Sequence, residues 1–67
     1  MKEVDARGLS CPEPIMLTAE ALKNASGPVK VIVSEPHQKM NIEKYAKDHG
    51  KKVTSTEKDG CFEVVID

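Results

Sequence analysis

Pro12 and Pro14 stand two positions apart directly after Cys11, and that spacing admits few backbone conformations. Proline has no N–H to donate and holds φ near about −65°, which suits the first turn of a helix and little else in regular structure. An amphipathic run from Ile15 to Ala25 follows. The segment therefore predicts a helix start, with Cys11 at the N-cap and Pro12 at the first helical position. Ser, Thr, Asp or Asn would be the usual cap. A thiol in that place feels the positive end of the helix dipole, which favours thiolate, the nucleophilic form. The two prolines remove two N–H donors from the same turn. Their expected role is to position the sulfur, with little contribution to stability.

The rest of the chain supplies partners for that helix. Lys2 to Arg7 alternates, with Val4 and Ala6 on one face, and predicts a short strand that turns at Gly8 to Ser10. Ile15, Ala19 and Leu22 repeat at helical spacing, with Met16 beside them. Asn24 to Pro28 is a helix stop. Val29 to Ser34 is a β-branched run and predicts a strand buried on at least one face. Pro36 suits a helix start, and the second helix is expected from Met40 or Asn41 to His49, with Ile42, Tyr45, Ala46 and His49 on one stripe. Lys52 to Lys58 alternates as a polar strand. Asp59-Gly60 predicts a two-residue hairpin turn, and Phe62, Val64 and Ile66 alternate in the last strand.

The order β-α-β-α-β-β predicts one α/β domain over residues 1–67. Right-handed crossovers put both helices on one face of a four-stranded mixed sheet, a two-layer sandwich. In open α/β sheets reactive groups gather beyond the carboxyl ends of the parallel strands, and Cys11 follows the first strand.

Composition excludes several classes. A 67-residue chain with one Phe, one Tyr and no Trp must build its core from aliphatic side chains. Ten basic and eleven acidic residues leave a net charge of −1, so no electrostatic case exists for nucleic acid or an anionic membrane. The lysines have no aromatic platform among them on which bases would stack. No apolar run is long enough to span a bilayer, and no secretory leader is read at the start. Two cysteines fifty positions apart have no metal-ligand spacing, so no metal and no organic cofactor is expected. A reducing, cytoplasmic setting fits this cysteine usage.

Asp5-Ala6-Arg7-Gly8-Leu9-Ser10-Cys11-Pro12-Glu13-Pro14 resembles the signature of the TusA/SirA/YedF sulfur-carrier family, in which the cysteine of a Cys-Pro-x-Pro motif carries a persulfide. The resemblance runs over nearly the whole chain. Asn41, Tyr45-Ala46-Lys47 and Gly50 look closer to the YedF-like branch. It implies strand order 1-2-4-3 with the last strand antiparallel. It also implies a persulfide on Cys11, a cysteine desulfurase or rhodanese as sulfur donor, and a protein acceptor. Docking would centre on the Cys11 edge, with Arg7, Gly8, Pro12, Glu13 and Pro14 as its binding residues.

Each of these residues also has a plainer reading. Arg7 is either a solvated strand-end charge or a counter-charge for docking. Gly8 is expected to permit a backbone conformation other residues resist. Glu13 suits a helix N-terminus but opposes a neighbouring thiolate. His37 is expected at an exposed helix start, and His49 as a structural residue. Cys61 alternates away from Phe62, Val64 and Ile66, which puts it on the open face of the sheet. It would lie two strands, about 10 Å, from Cys11, too far for a relaxed disulfide. Three further classes stay open: a non-catalytic interaction or regulatory domain, a thiol redox sensor pairing Cys11 with Cys61 and, least expected, a nucleic-acid binder, which salt-dependent binding to RNA would revive.

Overall fold

The computed structural model describes residues 2–9 and 13–67. Six elements follow in chain order: β1 (Lys2–Asp5), α1 (Glu13–Asn24), β2 (Val29–Val33), α2 (Pro36–Asp48), β3 (Val53–Lys58) and β4 (Cys61–Ile66). They form a four-stranded sheet of order β1-β2-β4-β3, the order the resemblance implied. β1 runs parallel to β2, and β4 runs antiparallel to both β2 and β3. The expected placement of Pro12 at the first helical position, with Cys11 as its cap, lies outside the described residues.

Alternation along the strands divides the sheet into two faces. Val29, Val31 and Val33 of β2 and Val64 and Ile66 of β4 are fully buried, and Ile42 and Ala46 of α2 and Ala21 of α1 close over them. Each large aliphatic side chain buried this way contributes roughly 1.5–3 kcal/mol. The opposite face carries the intervening residues and is charged. Lys30 Nζ lies 3.3 Å from Glu63 Oε1 and 3.9 Å from Glu3 Oε2, an ion-pair row across β1, β2 and β4. Both helices therefore cover one face, as the crossover rule requires, and the other stays open.

The hairpin between β3 and β4 turns on Asp59 and Gly60, with φ of 51° and 80°. Two successive positive φ values are what a two-residue turn needs to match the twist of its strands, and Asp-Gly supplies them at low cost. Lys58 then pairs with Cys61, and the register runs unbroken to Val53 opposite Ile66.

Two helical expectations need correction. α2 starts at Pro36, four residues ahead of Met40. Glu35 is extended, with φ −127° and ψ 142°, and Pro36 takes the first turn, where its missing donor costs nothing. The buried stripe is consequently Gln38, Ile42 and Ala46, while His49 is exposed. His49 instead stacks on Tyr45, ring centroids 4.2 Å apart, and its Nδ1 lies 2.8 Å from the Tyr45 carbonyl. In α1 the buried positions are Pro14, Thr18 and Ala21, one position off the expected stripe, and Met16 is 62 % exposed. Pro14 is fully buried, which overturns the expectation that it adds little to stability. Its ring fills core space as well as starting the helix.

Candidate functional site

The carboxyl end of β1 leads into a short turn that the following β2–α2 segment holds in place. Ala6 N–H donates to the Ile32 carbonyl at 2.8 Å and continues the parallel pairing. Gly8 N–H donates to Ser34 Oγ at 3.3 Å. Leu9 N–H closes the turn on the Ala6 carbonyl at 3.4 Å. Gln38 Nε2 then donates to the Leu9 carbonyl at 2.6 Å. Gly8 sits at φ 78°, where a Cβ would meet no neighbour but the backbone itself would be strained. The expected reason for a glycine here is met.

Arg7 is clamped by its own strand. Its Nε and Nη2 donate to Asp5 Oδ1 and Oδ2 at 2.9 and 2.8 Å, and its backbone N–H donates to Oδ1 at 3.1 Å. Hydrogen bonds from the Arg7 side chain and then its backbone lower the Asp5 carboxyl from 3.8 to about 2. Acceptance by Asp5, followed by the Cys61 thiol, raises Arg7 further above its usual range. Arg7 is thus a permanent, exposed cation with a fixed orientation. Its second influence, Cys61, begins β4. Cys61 is half-buried.

A depressed carboxyl contributes while ionised. The Asp5–Arg7 contact is complete above pH 3.8 and is lost as the pH falls through about 2. Both side chains are more than half exposed, so the effect on stability is small. An NMR titration should place the Asp5 carboxyl midpoint near 2, and Arg7→Gln should return it toward 3.8. A wild-type midpoint already at the ordinary value would remove the clamp.

The other sequence candidates fall as follows. Glu13 is exposed at the first position of α1. Pro14 is buried, and its carbonyl accepts a 2.8 Å hydrogen bond from Thr18 Oγ1 inside the helix. Cys11 and Pro12 lie outside the described residues. Glu13 and Pro14 open α1, while Arg7, Gly8 and Leu9 leave β1. The Cys-Pro-Glu-Pro motif therefore bridges the last described residue of the turn and the first of the helix. His37 is exposed at the start of α2, with Nε2 3.6 Å from Glu35 Oε2. Among the described residues no group of His, Cys, Asp and Glu could hold a metal ion. Open depressions lie at the far end of α1, lined by residues such as Leu22, Ala25, Ser26 and Gly27, opposite the Arg7 turn.

Ser34 and Gln38 were not singled out by the sequence. A signal for Gln38 existed: with the helix started at Pro36, positions 38, 42 and 46 share one face at i, i+4 spacing. A polar residue on that stripe needs a buried partner, and the Leu9 carbonyl is that partner.

Residues 2–67 match the family model described as Sulfurtransferase TusA. The chain is 36 % identical over 62 residues to the sulfur carrier protein TusA of Pseudomonas putida strain F1, covering 88 % of this chain and 78 % of that one. It is 40 % identical over 45 residues to the same-named protein of Pseudomonas syringae pv. syringae strain B728a, covering 64 % and 54 %. The crystal structure of a SirA-like protein from Desulfitobacterium hafniense superposes with a TM-score of 0.94 at 34 % identity, over 98 % of this chain and 95 % of that one. With the family model matched over residues 2–67 and a relative 36 % identical over most of both chains, the chain is a member of the TusA family.

Proposed function

We propose that this chain is a sulfur carrier that holds a persulfide on Cys11 and relays it between a donor and an acceptor protein. What supports this reading is the place of Cys11 in the chain. In sequence it falls between a turn whose Gly8 and Leu9 are held by Ser34 and Gln38, after the parallel strand β1, and the first residues of α1. The Cys11 thiolate attacks the outer sulfur of the donor's persulfide. The donor's S–S bond breaks, a new S–S bond forms on Cys11, and the donor leaves as a thiolate. No electrons are gained or lost overall, so no redox cofactor or metal takes part. An acceptor nucleophile later removes the outer sulfur from Cys11 in the same way.

The opposing influences on the thiol are the α1 N-terminus and Glu13. A moderately acidic thiol suits a carrier, because very acidic thiolates are weaker nucleophiles. Arg7 supplies a fixed positive charge at the docking edge, with Gly8, Pro12, Glu13 and Pro14 shaping it. The partners are a cysteine desulfurase or a rhodanese as donor and a protein acceptor, meeting in the cytoplasm. None of the helices is long and apolar enough to cross a membrane among the described residues. Asn41, Tyr45-Ala46-Lys47 and Gly50 favour a place near the YedF-like branch of the family.

The test is mass spectrometry after incubation with a cysteine desulfurase and cysteine. One added sulfur atom is expected on the peptide containing Cys11. Sulfur found instead on the Cys61 peptide, or on neither, would overturn the reading.

A further inference from the structure

We propose that Gln38 is a positioning residue for Cys11, holding the turn that precedes it through the Leu9 carbonyl. This rests on the reading of Cys11 as the sulfur-bearing residue. Gln38 is 3 % exposed, a polar side chain inside the stripe that α2 turns to the core. Its Nε2 donates to the Leu9 carbonyl at 2.6 Å, two residues before Cys11. Its Oε1 is buried and has no hydrogen-bond partner among the described residues.

A buried amide oxygen without a partner is costly, and native structures keep few of them. An apolar side chain of the same shape would fill the space without that cost. A glutamine here is explained by its hold on the Leu9 carbonyl, on the turn that leads in sequence to Cys11. Ile32, Ser34 and Gln38 then form one continuous clamp on residues 6 to 9, of which Gln38 holds the residue nearest in sequence to Cys11.

The experiment follows Cys11 alkylation by iodoacetamide against pH in a Cys61→Ala parent, with Gln38→Met and Gln38→Glu made in it. Gln38→Met keeps the volume and loses both hydrogen-bonding atoms. It should slow alkylation at neutral pH roughly fivefold, the size of one hydrogen bond. Gln38→Glu adds a negative charge beside the segment and should move the alkylation midpoint to higher pH. Profiles that superimpose on the parent in both variants, even with lowered melting temperatures, would make Gln38 a purely structural residue. If Gln38→Met melts below the assay temperature, Gln38→Glu decides the question alone. Sulfur loading of the parent is measured alongside. A parent that takes no sulfur while the variants shift the profile would overturn the carrier reading and leave the Gln38 inference standing. A parent that loads while both variants match it in alkylation would do the reverse.

Discussion

Replacing Cys11 by Ser is expected to abolish sulfur relay while leaving the protein folded. Serine is among the favoured residues at a helix start, so the melting temperature should stay within a few degrees. The hydroxyl cannot replace the thiolate, which is the nucleophile in sulfur transfer. Transfer from a loaded donor, followed in a single turnover, should fall to the background rate. Cys61→Ala should load and discharge at the wild-type rate, because Cys61 faces the open side of the sheet at the start of β4. A Cys61→Ala protein that loads but fails to discharge would make Cys61 a relay thiol, and the two-cysteine redox reading would replace the single-carrier one.

The largest effect on stability is expected from Ile42→Ala. Ile42 has no exposed surface and sits between Gln38 and Ala46 on the stripe of α2 that covers the sheet. Truncation of a fully buried isoleucine costs about 2–5 kcal/mol, the transfer term plus the cavity left behind. A domain of this length has only about 3–10 kcal/mol to lose, so the variant should be partly unfolded at room temperature. Met16→Ala, at a position 62 % exposed, should change stability by less than about 0.5 kcal/mol. Urea titrations of the two variants provide the comparison. Equal midpoints would mean that α2 does not bury this face.

The same contrast separates what could be read from the chain and what could not. The β-branched run of β2, the alternation of β4 and the Asp59-Gly60 turn each announce their own conformation, because strand period and turn chemistry are local properties. The start of α2 was misjudged by four residues. Its first turn, Pro36 to Lys39, carries no apolar residue after the proline, so hydrophobic periodicity begins only at Met40. Gln38 was lost with that turn.

Local chemistry in the sequence determined the six elements, the single charged-out, apolar-in face of each strand, and the thiol with its flanking prolines. Only the tertiary structure decided which distant groups meet at the turn after β1. Gln38 reaches Leu9 from 29 residues away and Ser34 reaches Gly8 from 26, contacts that no periodicity encodes. They exist because parallel pairing of β1 with β2 carries both following segments to the same edge of the sheet. Burial on α2 likewise turns a glutamine from a surface residue into a clamp, since a polar group removed from water must find its partner inside the fold.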